Sequence, residues 1–79
     1  MSYEMEVEYT DTFAGEANYC WVRRETLFFD VDTSKARVKR RLKAAMRIDG
    51  MPGRWVDCGD SLAFRPYGTC TILMARVIY

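Results

Sequence analysis

The sequence contains no histidine. Histidine is the most frequent general base in enzymes and the most frequent metal ligand, so its absence removes the commonest catalytic and metal-binding arrangements. The three cysteines are Cys20, Cys58 and Cys70. They form no C-x-x-C pair, and a structural zinc site is therefore not expected. We predict a protein that is not an enzyme and that needs no metal or cofactor.

Other absences concern the compartment. An odd number of cysteines does not make a closed disulfide framework. The chain opens on MSYE, which leads directly into a charged strand pattern, so no signal peptide is expected. The apolar run 72–75 is stopped by Arg76, far short of the roughly 20 residues that cross a bilayer as a helix. We therefore expect a cytoplasmic protein in a reducing compartment, with no membrane partner.

What the sequence does contain fits one small domain, residues 1–79, with 49% hydrophobic residues. The net charge of +1 hides an uneven distribution. Residues 1–32 hold eight acids and two bases, which gives −6, and residues 33–79 hold ten bases and three acids, which gives +7. Two interpretations are open: the halves attract each other, or a bipolar surface steers a charged partner.

The strand patterns are strongest at the two ends of the chain. Residues 3–9 alternate Tyr, Met, Val and Tyr with three glutamates, which predicts a strand with one wet face. Residues 18–31 read as one long strand or two short ones, with a bulge or a kink at Arg23–Glu25 and a turn region before them at residues 10–17. Further strands are predicted over residues 54–58, 61–65 and 69–79.

A helix is predicted over residues 34–48, after capping residues at 32–34. Val38, Leu42, Ala45 and Met46 recur at helical spacing and form one apolar stripe. The order ββαβββ predicts an α+β fold, an antiparallel sheet of about five strands with one helix on one face. The stripe is expected to pack on a sheet face that includes Tyr3, Met5, Val7, Leu62, Phe64, Leu73 and Val77.

The opposite side of this helix is basic. Seven bases and no acid lie between Lys35 and Arg47. Such a row suggests a surface that binds a partner, since like charges four residues apart destabilise a helix slightly. The alternative is a solvated helix surface whose last bases favour the negative end of the helix dipole. The candidate partner-binding residues are Arg37, Lys39, Arg40, Lys43 and Arg47.

A second candidate surface lies on the last strand. Cys70, Ile72 and Met74 share the face that the helix cannot cover, and an exposed apolar patch on a small domain usually marks an interface. We predict a homodimer through these three residues, with a possible intermolecular disulfide through Cys70. The alternative is that the last strand is central in the sheet and a loop covers it.

Two segments, EVEYTDTFAGEANYCWVRR at 6–24 and DCGDSLAFRPYGTC at 57–70, resemble a family of small uncharacterised proteins encoded by phages and prophages. The resemblance spans about half the chain and contains no catalytic motif. In size and style the chain is similar to anti-CRISPR proteins that inhibit type I systems. This similarity implies binding to a host surveillance complex, and it transfers no functional residue to this sequence.

Two functions follow as hypotheses. The first is a phage-encoded, non-enzymatic inhibitor that binds a host type I CRISPR complex in the bacterial cytoplasm and blocks DNA recognition or nuclease recruitment. The second is a small nucleic-acid-binding protein, in which aromatic residues near Arg23 and Arg24 stack on single-stranded bases. A toxin-like or regulatory enzyme ranks third because histidine is absent.

Overall fold

The computed structural model describes residues 1–78, which form five strands and one helix. All strand pairs are antiparallel, and the sheet order is β2-β1-β5-β4-β3. The predicted α+β class and the ββαβββ order are confirmed. The elements are β1 (Ser2–Phe13), β2 (Glu16–Asp30), α1 (Lys35–Ala45), β3 (Gly53–Asp57), β4 (Ser61–Pro66) and β5 (Thr71–Val77).

Strands β1 and β2 form a long hairpin with a two-residue turn. Ala14 and Gly15 both have positive φ, 55° and 85°, as a type I′ turn requires. The expected broad turn at 10–17 is therefore wrong, since both strands continue almost to the turn. The twist of a type I′ turn matches that of the flanking strands, which lets pairing extend to Phe13 and Glu16.

The irregularity in β2 lies closer to the β1–β2 turn than predicted. The register is regular at Arg23–Glu25 and shifts between Thr10 and Thr12, opposite residues 18–21. The predicted bulge or kink at Arg23–Glu25 is therefore wrong. The extra residues are accommodated at 18–21 because Tyr19 adopts a positive φ of 56° there.

Helix α1 begins after Ser34, whose side chain accepts a hydrogen bond from the Arg37 N–H. It ends at Ala45, three residues before the predicted end. Arg47 has a φ of 61° and turns the chain, so that its N–H donates to Ala44 and the N–H of Ile48 donates to Lys43. No helix in the described part of the chain is long and apolar enough to cross a membrane.

The core lies between α1 and the face of the sheet predicted to receive it. Val38 and Leu42 are buried and Ala45 is half-buried, as the helical stripe predicts. Val77 is 38% exposed, so its predicted place in the core is wrong. It lies at the end of β5, beside an apolar cavity of about 280 Å³ near the start of α1. Met46, the last residue of the predicted stripe, is buried as well, whereas sequence patterns did not predict the burial of Phe29 and Ile48.

Strand β5 is central, between β1 and β4. The Arg65 guanidinium of β4 donates to the carbonyl oxygen of Gly15 over 3.0 Å, so this side chain links β4 to the β1–β2 turn on the other side of β5. Ile72 is only 4% exposed, Met74 is half-buried and Cys70 is exposed in the turn before β5. The expectation that Ile72 belongs to an open apolar patch is therefore wrong.

Candidate functional site

Two lysines of α1, Lys39 and Lys43, pack against aromatic rings of the sheet. The Lys39 ammonium is 5.4 Å from the centroid of the Trp55 ring. The Lys43 ammonium is 4.5 Å from the centroid of the Phe64 ring and donates to the carbonyl oxygen of Met51. Both lysines are half-buried, so the prediction that Lys43 is exposed is wrong. Long side chains that flank an apolar stripe can lie along the ring faces below them, where cation–π attraction holds their charge.

Other bases of α1 are also engaged. The Arg41 guanidinium lies 4.4 Å from the centroid of the buried Phe29 ring. Lys35 forms an ion pair with Asp57 at the start of the helix. The hydrogen bond from Lys35, together with one from the Gly59 N–H, holds the pKa of the Asp57 carboxyl below its usual value. These cations stabilise the fold locally and are not available as a free row.

Three arginines remain, and we call them the arginine face: Arg37, Arg40 and Arg47. All three are exposed. Within residues 1–78, no acidic side chain lies within ion-pair distance of any of them. Of the five candidate partner-binding residues, the structure leaves three exposed guanidinium groups, two of them on α1 and the third, Arg47, two residues beyond the helix end.

A cluster of aromatic residues lies near the C-terminal end of α1. The Arg23 guanidinium is 5.7 Å from the Tyr9 centroid and 5.9 Å from the Trp21 centroid. It also donates to the carbonyl oxygen of Met46, one residue before Arg47. The Trp21 ring packs edge-on against Tyr9 and is 41% exposed. An exposed indole beside a guanidinium provides a platform for stacking on a planar group.

The irregular segment 18–21 places these side chains. The Asp11 carboxylate accepts hydrogen bonds from the Asn18 amide and the Cys20 N–H, both over 2.9 Å. The Thr10 hydroxyl donates to the carbonyl oxygen of Trp21 over 2.7 Å. These bonds satisfy backbone groups that the sheet ladder leaves free at a bulge.

The Asp11 carboxylate provides a pH-dependent prediction. The Asn18 amide, ahead of opposing desolvation, lowers the pKa of Asp11 from its usual value. A lowered pKa in the folded state means that the carboxylate stabilises the fold above its unfolded pKa, and that this contribution is lost as pH falls through the folded pKa. Asn18→Ala should raise the pKa of Asp11, measured by carbon NMR of the carboxyl group. The pKa of Asp57 should stay unchanged, and an Asp11 value that does not move contradicts the assignment.

The outer face of the sheet carries the acidic row of β1, but these acids are largely paired. Arg76 lies 3.2 Å from Glu6, and Arg24 lies 3.6 Å from Glu8. One oxygen of Glu8 is fully buried, and no group in the described residues donates a hydrogen bond to it. Glu8 and Tyr19 line a groove of about 370 Å³ on this face. Burial and the charge of Glu8 raise the pKa of Tyr19. On the outer face, the acids of β1 therefore lie beside bases of β2 and β5, and their charges largely balance.

Tyr19 and Trp21 are two residues apart and would share one face of a regular strand, but the structure separates them. Tyr19 lines the outer groove beside Glu8, whereas Trp21 lies on the helix side beside Tyr9. The contact of Arg23 with the end of α1 was not predicted. The only sequence signal was the position of Arg23 two residues after Trp21, on the same face of a strand.

All three cysteines are exposed free thiols in this structure, and Asn18 donates to the Cys20 sulfur. The exposure of Cys70 leaves the predicted intermolecular disulfide as a prediction. Cys70 and Met74 are the accessible members of the predicted dimer patch. Without Ile72, these two residues do not form a continuous apolar surface.

Comparison with known proteins adds no assignment to this geometry. No protein-family model matches the chain, and no curated protein or solved structure was found to be similar to it.

Proposed function

We propose that this chain is a non-enzymatic binding protein that docks its arginine face onto an acidic surface of a macromolecular partner. The observation that carries the proposal is the exposure of Arg37 and Arg40 on α1 and of Arg47 just beyond its end, with no acidic side chain of residues 1–78 within ion-pair distance of them. Guanidinium groups bind carboxylates and phosphates through two parallel hydrogen bonds, which gives such a set both affinity and orientation.

The backbone at Arg47 supports this role. A position with positive φ after a helix is usually glycine, because a side chain there costs roughly 1–2 kcal/mol. Arg47 occupies that position with a φ of 61°. A residue that opposes the local backbone preference suggests that its side chain is needed for something else. Binding through the guanidinium supplies such a reason.

The resemblance to phage-encoded proteins extends the proposal to a specific partner. In this form the protein inhibits a host type I CRISPR surveillance complex in the bacterial cytoplasm and blocks DNA recognition or nuclease recruitment. The arginine face then requires an acidic patch on a protein subunit of that complex. Electrostatic complementarity of this kind accelerates association and excludes wrongly charged partners.

Single-stranded nucleic acid is the second candidate, and one observation favours it. Trp21 is 41% exposed beside Arg23, whose guanidinium reaches the C-terminal end of α1. Bases could stack on Trp21 while phosphates follow the arginine face. Affinity for such a strand is expected to fall as the salt concentration rises. The logarithm of the association constant, plotted against the logarithm of the salt concentration, should have a slope of about −0.7 for each phosphate contact.

The test reverses the charge of the arginine face with Arg37→Glu, Arg40→Glu and Arg47→Glu together. Inhibition of a type I system, measured by phage plaque counts in a host that expresses the protein, should be lost. Affinity for the isolated complex should fall at least about a hundredfold, because juxtaposed like charges cost several kcal/mol. A variant with lysine at the same three positions keeps the charge but cannot form the paired hydrogen bonds, so its affinity should lie between those of the wild type and the glutamate variant.

A parallel titration with a labelled single-stranded oligonucleotide distinguishes the two partners. Tight oligonucleotide binding that the triple reversal abolishes, without any effect on the CRISPR system, supports the second candidate. If the glutamate variant folds normally and binds either partner as the wild type does, the arginine face is only a solvated helix surface.

A further inference from the structure

Strand β2 is an edge of the sheet and has β1 as its only neighbour. The N–H of Val31 donates to the carbonyl oxygen of Met1, which fixes the hydrogen-bonding phase of this ladder. Over residues 22–30 of β2, the odd-numbered residues therefore form backbone hydrogen bonds with β1, and the even-numbered residues direct their N–H and C=O groups away from the sheet. The residues with outward backbone groups are Val22, Arg24, Thr26, Phe28 and Asp30.

Residues 22–30, the part of β2 farther from the β1–β2 turn, have only part of the usual protection of an edge strand. Natural edges are short or carry proline, charged side chains (lysine above all) or a bulge, because free backbone groups recruit other strands. The four charges of this segment are of both signs and can pair with a second copy. Strand β2 has 15 residues, and its bulge protects only the part near residues 18–21. Residues 22–30 contain no proline, glycine or lysine, and Phe28 is 60% exposed. Residues 22–30 therefore offer free backbone N–H and C=O groups with which one more strand can pair.

The geometry points to a second copy of this chain, paired antiparallel along β2 about a two-fold axis at Leu27. A two-fold axis perpendicular to the sheet keeps each face on its own side, so opposed residues must have numbers whose sum is even. Registers centred on Arg23, Arg24 or Glu25 place a charge directly opposite itself. Like charges directly opposite each other destabilise strand pairs.

The register centred on Leu27 is charge-complementary. It places Arg24 of each copy opposite Asp30 of the other, and it places Thr26 opposite Phe28. All four residues have outward backbone groups, so both pairs exchange backbone hydrogen bonds. The two Leu27 side chains, which already pack against the core cluster, meet at the axis.

The resulting assembly is one continuous sheet made from two five-stranded sheets, with both helices on the same side. The two arginine faces then point in the same direction. This interface differs from the predicted one at Cys70 and Met74, and none of the cysteines lies in residues 22–30. The edge dimer therefore forms in reducing and oxidising conditions alike, and it does not depend on the proposed function.

Sedimentation equilibrium of the full chain under reducing conditions tests the interface. The wild type should show twice the 9.2 kDa mass of one chain. Thr26→Pro removes an outward N–H from each copy without removing a bond to β1, and it should weaken dimerisation about tenfold or more. Thr26→Val keeps the N–H and should leave the dimer intact.

A charge exchange tests the register independently of proline. Arg24→Asp and Asp30→Arg should each weaken the dimer, and the two substitutions combined should restore it. Circular dichroism must show that each variant is folded. A wild type that stays monomeric across the concentration range overturns the proposal, even if β2 then binds a strand of another protein. A folded Thr26→Pro variant and charge variants that all dimerise like the wild type overturn it as well.

Discussion

Leu42→Ala should lower the free energy of unfolding by roughly 2–5 kcal/mol, the range measured for a leucine truncated in a packed core. Leu42 is fully buried in the middle of α1 and belongs to the cluster that joins the helix to the sheet. Small domains have total stabilities of about 5–15 kcal/mol, and a 79-residue chain buries a smaller share of its surface than a larger domain does. This one substitution therefore removes much of the available stability.

Urea unfolding followed by circular dichroism measures the change, with Arg40→Ala as the matched control. Arg40 lies on the same helix and is exposed, so its truncation should change the unfolding free energy by no more than about 0.5 kcal/mol. Equal midpoints for the wild type and Leu42→Ala would show that the helix face has been assigned incorrectly.

Patterns between near neighbours predicted the elements and their buried sides. The alternation of Met5, Val7 and Tyr9 with glutamates specifies which side of β1 is buried, and the spacing of Val38 and Leu42 does the same for α1. Both patterns arise from geometry within one element, with periods of 2 and 3.6 residues. Such information is fully present in a short segment of sequence.

Burial that depends on distant segments was not predictable in this way. Ile72 alternates correctly for the outer face of β5, yet it is buried, in a strand that lies between β1 and β4 and that the Arg65 side chain spans to reach Gly15. Phe29 follows another aromatic residue, and only the strand register shows which of the two faces α1. Ile48 lies beyond the end of α1 and is buried because Arg47 turns the chain just before it.

The candidate site, too, has one part that follows from the pattern within α1 and another that depends on contacts with distant strands. The row of bases in α1 was visible in the sequence, and its side opposite Leu42 follows from helical geometry. Which bases remain free depends on what lies beneath each one. Lys43 reaches Phe64 on β4, and Lys39 reaches Trp55 on β3. The pairing of β3 with β4 determines those contacts, and no pattern within the helix contains it.

Gly53→Ala should be the second strongly destabilising substitution, although Gly53 has no unusual φ. A Cβ atom at residue 53 would lie 2.5 Å from the carbonyl oxygen of Arg65 and 2.5 Å from Cζ of the Phe64 ring. Neither neighbour can move easily. The oxygen belongs to the backbone of β4, and the ring is 1% exposed with Trp55 packed 4.9 Å from its centroid. Overpacking of this kind costs about 1–3 kcal/mol, and a clash with backbone increases the cost.

Gly50→Asn is the matched control for Gly53→Ala. Gly50 has a φ of 91°, nothing lies within 4 Å of a Cβ built there, and asparagine tolerates left-handed backbone better than other residues. Backbone strain should lower the unfolding midpoint of Gly50→Asn slightly, and clearly less than the clash lowers that of Gly53→Ala. Adding Phe64→Leu to Gly53→Ala removes the ring atoms that clash and leaves the contact with the backbone oxygen. The double variant should therefore lose less stability than the two single changes added together. Strict additivity, or a Gly53→Ala variant as stable as the wild type, would show that β3 approaches β4 less closely than the structure places it.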